Sequence, residues 1–112
     1  MNIPYDSPEL DKILGALANQ KRRGMVHDLT LNPATIGQLA KKFGLSLPAM
    51  HKHMSNLEDA KLIIRKKSGR TNFIALNENT LKLAQDWISQ YKTHWGNNKN
   101  ASLDNYISSL QE

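Results

Sequence analysis

The side chains able to do chemistry in this 112-residue chain are cationic or small and polar, and they are gathered in its middle. Residues 21–70 hold eleven Lys and Arg (Lys21, Arg22, Arg23, Lys41, Lys42, Lys52, Lys61, Arg65, Lys66, Lys67, Arg70) against three acids (Asp28, Glu58, Asp59), a net +8, while the rest of the chain is −3. A basic centre between acidic flanks suits a polyanion; charge alone fits a merely solvated basic surface equally well. Groupings for catalysis are missing: no phosphate loop, no G-x-S-x-G, no H-E-x-x-H. There is no cysteine, which removes disulfides, thiolate metal sites and a thiol nucleophile and fits a cytoplasmic protein. Glu58 and Asp59 are adjacent, so on a helix they diverge and make a poor acid–base couple. No two of His27, His51, His53 and His94 stand at i, i+4. With Asp28 they could supply an atypical His/Asp metal site only by converging from several elements. The expectation is therefore no enzyme, no cofactor and no metal.

Spacing within the basic centre sharpens the reading. After Ser46, the residues Met50, Met54 and Leu57 form one stripe at helical periodicity, with Leu47 at its start. Turning that stripe inward, steps of about 100° per residue place Pro48, Lys52, Ser55 and Asp59 on the opposite face, with His51 and Asn56 on the flanks. The face made by Ser46, Pro48, His51, Lys52 and Ser55 is small and polar with one cation. It suits a major groove about 12 Å wide, and a helix N-terminus favours phosphate. Lys52 is placed to donate to guanine O6/N7 or to a phosphate, and His51 and Ser55 to base edges or phosphates. Asp59 repels the DNA backbone and belongs where the helix leaves the groove. His53 lies near the inner stripe and is read as a packed or interhelical histidine. Arg65, Lys66, Lys67 and Arg70 crowd a tight turn, Ser68-Gly69-Arg70, and are suited to phosphates, with Arg70 able to reach a minor groove. Lys41 and Lys42 are expected to grip the backbone across the groove. Lys21, Arg22 and Arg23 either touch flanking phosphate or only solvate their helix.

The elements that carry these residues are marked by local signals. Ser7-Pro8-Glu9 starts a helix with apolar positions Leu10, Ile13, Leu14 and Leu17. A second helix starts near Asn19, carries Met25, Val26 and Leu29, and is broken by Asn32-Pro33. Thr35 caps a short helix with Ile36, Leu39, Ala40 and Phe43, ended by Gly44. Ser46 then caps the recognition helix, 46–60. Leu62–Lys67 and Thr71–Leu76 read as two strands of a hairpin, 62–76. Helical pairs around a glycine are common; one followed directly by a basic hairpin has the order of a winged helix-turn-helix. Asn77-Glu78-Asn79 opens a fifth helix with the stripe Leu81, Ala84, Trp87 (or Ile88), Tyr91 and Trp95. Gly96–Asn100 is a polar linker, and Leu103, Tyr106, Ile107 and Leu110 mark a final amphipathic helix. The expected fold is mainly α with a β-hairpin wing, in the order ααααββαα. Residues 1–95 form the DNA-binding and dimerisation domain, and 96–112 the linker and C-terminal helix.

These residues carry a family resemblance. Residues 10–95 resemble the ArsR-type, arsenic-repressor-like winged helix-turn-helix regulators. The matching stretches are Ile13–Arg23, Thr35–Ala40, the recognition helix Leu45–Met54, Leu57–Ile63, and Ser68-Gly69-Arg70 in the wing. The resemblance implies a dimeric transcriptional repressor on a palindromic operator, often one that controls its own gene. It also implies metal sites in some members, and here the chain departs. The Cys-x-Cys of the helix that begins Thr35-Ile36-Gly37 is absent, and the Asp-x-His of the C-terminal helix is reduced to Asp86-Trp87-Ile88 with His94 beyond. Gln20 stands for the usual Pro, and Ala60-Lys61 for Ala-Gly. Trp95 followed by Leu103, Asp104, Ile107 and Leu110 is similar to a subset without the metal motifs.

The chain ends carry more apolar surface than a small winged core covers. A bundle from two chains, built of Leu10, Ile13, Leu14, Leu17, Trp87, Tyr91, Trp95, Leu103, Ile107 and Leu110, would bury it; the other reading folds the tail onto its own domain. The Trp87, Tyr91 and Trp95 stripe is read as dimer core rather than as a cavity for an apolar effector, and no inducer is indicated. No apolar run approaches the roughly 20 residues of a membrane span, and Met1–Asp6 has neither the basic nor the apolar segment of a secretory signal. The expected partners are double-stranded DNA and a second copy. The alternative functions are a winged-helix protein-interaction module without DNA contacts, which would have no need of the basic hairpin, and a metal-responsive repressor with an atypical His/Asp site.

Overall fold

The computed structural model describes residues 3–95 and 102–111. Four helices precede the hairpin: α1 (Pro8–Leu17), α2 (Gln20–Leu31), α3 (Ile36–Phe43) and α4 (Leu47–Asp59). Each starts on a side-chain cap that accepts an otherwise unpaired backbone N–H. Ser7 takes Leu10 N, Asn19 takes Arg22 N, Thr35 takes Gln38 N and Ser46 takes Ala49 N. Thr35 and Gln38 complete a reciprocal capping box. Gly44 ends α3 with φ of 63°. That left-handed turn costs a side-chain-bearing residue about 1–2 kcal/mol, so glycine there sets the angle between α3 and α4 cheaply.

The hairpin strands are β2 (Ile63–Ser68) and β3 (Thr71–Leu76), paired antiparallel with Ser68 opposite Thr71 and Arg65 opposite Ile74. Their two-residue loop has Gly69 at its first position with φ of 61°, where a tight II′ hairpin needs positive φ. A third strand, β1 (Ala34–Thr35), pairs with β3, giving the order β1-β3-β2. This element is absent from the expected order; two residues are too few to show alternation. Helix α5 (Glu78–Ser89) follows, then a 3₁₀ turn (Lys92–His94) and α6 (Leu103–Leu110). The fifth helix thus ends before Tyr91 and Trp95, which the helical stripe was expected to include. The linker 96–100 lies outside the described residues. No helix among the described residues is long and apolar enough to cross a membrane.

The core sits between the helices and one face of the sheet. Met50, Met54 and Leu57 of α4 are fully buried with Ile13, Met25, Leu62 and Ile74. Anchoring α4 by three such side chains fixes which face it turns outward. Leu10 and Ile13, expected at a joint between two chains, are instead 2% and 1% exposed within this one. They lie on the buried side of α1, which packs on α2, α4 and α5. The side chains of α6 are exposed.

The end of α4 holds the one non-glycine residue of positive φ among those described, Lys61 at 60°. Leu62 N bonds to Leu57 O at 3.0 Å and Lys61 N to Glu58 O at 2.9 Å, the paired bonds of a Schellman ending with lysine where glycine is usual. Lys61→Gly is expected to raise stability by about 1 kcal/mol. Urea denaturation checks this; an unchanged or lower midpoint would contradict it.

Candidate nucleic-acid interface

Helix α4 presents Pro48, His51, Lys52 and Ser55 to solvent. None of these side chains is engaged elsewhere among the described residues. Ser46 is also exposed; its Oγ accepts Ala49 N at 3.3 Å, which leaves the hydroxyl proton free to donate. Leu47 is 57% exposed in the first turn of the same helix, an apolar member of this face that helical periodicity had assigned to the inner stripe. The stripe fails there because Leu47 lies beyond the end of the core.

The wing supplies three exposed cations, Lys66, Lys67 and Arg70. Arg65 behaves differently from the expectation that it meets phosphate. Its register opposite Ile74 turns it to the inner face, and its Nη2 donates to Glu58 Oε1 of α4. With its side chain only 26% exposed, Arg65 ties the wing to the recognition helix rather than offering charge to a ligand. Lys41 is exposed, while Lys42 Nζ pairs with Asp28 at 2.7 Å and remains 63% exposed. Asp59 is exposed at the last turn of α4, where the helix leaves this surface.

The basic cluster at the start of α2 has a structural task that spacing did not reveal. Helix α1 has no basic residue in its last turn; Gly15 O takes the cap Ala18 N at 3.3 Å, while the last carbonyls, Ala16 O and Leu17 O, lie beyond the helix's own donors. Arg22 Nε donates to Ala16 O at 2.8 Å and Nη2 to Gly15 O at 3.3 Å, and Arg23 Nη1 donates to Leu17 O at 3.0 Å. Lys21 Nζ donates to Phe43 O at 3.4 Å, at the end of α3. Cations placed on helix C-termini also meet the negative end of each helix dipole.

Arg22 has one further partner, His53 of α4, with Nη1 3.3 Å from Nδ1. Arginine can only donate, so Nδ1 accepts and the imidazole is neutral in this contact. Burial first, then the charges of Arg22 and Lys21, hold His53 below its ordinary value of 6.5. The unfolded chain therefore binds more protons than the folded one as pH drops below about 6.5, and folding stability is lost in that window. The expected result is a melting temperature that falls between pH 7 and pH 5, and falls less in His53→Gln. Equal slopes in the two proteins would contradict this coupling.

Among the described residues, no three of His, Cys, Asp and Glu converge as metal ligands. The surfaces expected to join two chains are partly present. Leu14 is 37%, Tyr91 39% and Trp95 55% exposed, and Leu17 and Trp87 are half-buried. Trp87 meets Tyr91 edge to face with ring centroids 5.7 Å apart, and the buried Trp87 indole N–H has no acceptor among the described residues. Leu103, Ile107 and Leu110 are exposed on α6. Ile88 at 46%, which spacing left as the alternative to Trp87, is the more exposed of the two.

A helical pair α3–α4, held by buried methionines and braced from behind by a basic three-stranded wing, defines a winged helix-turn-helix protein. Comparison with known proteins agrees. The model of a helix-turn-helix domain family matches residues 17–65. The chain is 37% identical to the uncharacterized HTH-type transcriptional regulator YuzN of Bacillus subtilis, over 70% of this chain and 94% of YuzN. It is 23% identical to the transcriptional repressor SdpR of the same organism, over 73% of this chain and 91% of SdpR. The crystal structure of the ArsR family transcriptional regulator RHA00566 superposes with a TM-score of 0.76 at 30% identity, covering 88% of this chain and 100% of that one. The chain belongs to the ArsR family of helix-turn-helix transcriptional regulators, and its relatives are regulators rather than enzymes.

Proposed function

We propose that this protein is a dimeric repressor that binds a palindromic operator, with α4 in the major groove and the wing on the flanking backbone or minor groove. One observation carries the reading: Ser46, Pro48, His51, Lys52 and Ser55 on α4 are exposed together with Lys66, Lys67 and Arg70 of the wing, while Arg65–Glu58 locks the two elements to each other. A polar reading face beside a cationic strand separates base contact from phosphate contact, as duplex recognition requires. Repression is supported by the likeness to SdpR, which is named as a repressor.

Residues 1–95 serve as the binding and dimerising unit, and 96–112 as an appended tail. Dimerisation is supported by the exposed apolar residues Leu14, Ile88, Tyr91 and Trp95. Two copies related by a two-fold axis would present two α4 helices to successive major grooves of a palindrome.

The test is a mobility shift on DNA from upstream of the protein's own gene. Lys52→Ala is expected to relax sequence preference, at about 1–3 kcal/mol for a base contact, whereas Arg70→Ala weakens all duplexes alike. Wild-type affinity in both variants would overturn the proposal.

A further inference from the structure

Leu47 stands out on the proposed reading face. An exposed leucine alone is unremarkable on a protein surface, but the surroundings of this one are specific. It occupies the first helical position of α4, next to the exposed Pro48, and the two form an apolar spot bounded by Ser46, His51 and Lys52. At 57% exposure it forgoes most of the burial that a leucine would gain in the core. Leu47 and His51, four residues apart, share one edge of α4; farther along that edge Glu58 joins the wing through Arg65. The spot therefore lies at the N-terminal end of the helix, on the side toward the wing.

The occupant follows from the chemistry of the duplex. Phosphates and polar base edges offer charge or hydrogen bonds, and Leu47 can answer neither; the C–H surface of deoxyribose belongs to the backbone and is the same at every position. The one apolar group that the four bases display in the major groove is the C5 methyl of thymine. The first turn of a recognition helix is also the part that meets base edges. We infer that Leu47, supported by Pro48, reads a thymine methyl in the operator. This rests on the proposed DNA-binding function and adds a specificity-determining residue to it. The recognised site thus carries a thymine at one fixed position beneath each bound α4, next to the bases or phosphates that Lys52 and His51 contact.

The test uses a duplex recovered by the full-length wild-type protein from a randomised duplex library. Each thymine is replaced in turn by deoxyuridine, which deletes the methyl and keeps base pairing. The wild type is expected to lose about fourfold in affinity per methyl removed at the contacted position and nothing elsewhere. Leu47→Ala is expected to bind the thymine duplex more weakly and to be indifferent to deoxyuridine there, whereas Leu47→Met keeps the discrimination. Circular dichroism melts of the variants check that the exposed site can be changed without unfolding. The inference is overturned if no deoxyuridine position weakens the wild type, or if Leu47→Ala loses as much as the wild type does. If the wild type recovers and binds no duplex, the proposed function itself fails, and this inference with it.

Discussion

Replacing Lys66, Lys67 and Arg70 together with alanine is expected to lower duplex affinity about 500-fold per bound chain at 0.1 M salt. The magnitude follows from counterion release. Each neutralised phosphate contributes about 0.9 to the slope of log affinity against log salt, so three lost contacts flatten that slope by about 2.7. All three side chains are exposed and unpaired among the described residues, so nothing within the chain replaces them and nothing is left buried without a partner. The same strand contains its own control. Arg65→Ala removes an equal charge two residues from Lys67, but that charge is already matched by Glu58. Its loss should leave the salt slope nearly unchanged while loosening the wing relative to α4. Anisotropy titrations over a range of salt separate the two variants. Equal slopes in Arg65→Ala and the triple variant would mean that the pairing with Glu58 does not decide which cations meet phosphate.

The second large effect belongs to a residue that touches no ligand in this account. Arg22→Ala should destabilise the fold by about 2–4 kcal/mol, because hydrogen bonds from a charged donor are worth about 1.5–3 kcal/mol each and partial exposure discounts them. Ala16 O and His53 Nδ1 lose the donor Arg22 gives them, and Gly15 O is left with Ala18 N alone. The two carbonyls close the end of α1, and His53 lies on α4, so one side chain joins the N-terminal helix to the reading helix. Arg22→Lys should restore little, since a single ammonium cannot span three acceptors as the planar guanidinium does. Against a typical total of about 5–15 kcal/mol, this is a substantial share of the stability. Urea denaturation gives the answer directly, and a change below about 0.5 kcal/mol, the size usual for a surface substitution, would contradict the role assigned here. DNA binding supplies a second check: the salt slope of Arg22→Ala, measured where it is still folded, should match the wild type.

What could be read from the sequence was mostly local. The caps Ser7, Thr35 and Ser46, the helix start near Asn19 and the terminator Gly44 act within three or four residues of themselves, and the structure has each in place. The inward stripe of α4 was legible because Met50, Met54 and Leu57 are spaced for one face, and the outward face follows from it. Features that depend on distant partners were not visible. Arg22 and Arg23 look like solvated cations until the end of α1 is brought beside them. Strand β1 exists only because β3 offers it an edge. Arg65 had a signal in hindsight: a turn at Gly69-Arg70 sets Ser68 against Thr71, and counting back three pairs puts Arg65 opposite the buried Ile74. Charge alone points Arg65 to phosphate, whereas register points it inward. Leu10 and Ile13 were assigned to the joint between chains because a helical stripe reports that a face is buried, not which chain buries it.

The proposed function requires α4 and the wing to share one duplex. The most direct measurement is a titration of nitrogen-15-labelled protein with the recovered duplex, followed amide by amide. The predicted result is that signals of Ser46, His51, Lys52 and Ser55 move together with those of Lys66, Lys67 and Arg70, at the same duplex concentration and reversibly with salt. Shifts confined to α5 and α6, or a wing that stays still while α4 responds, would contradict it.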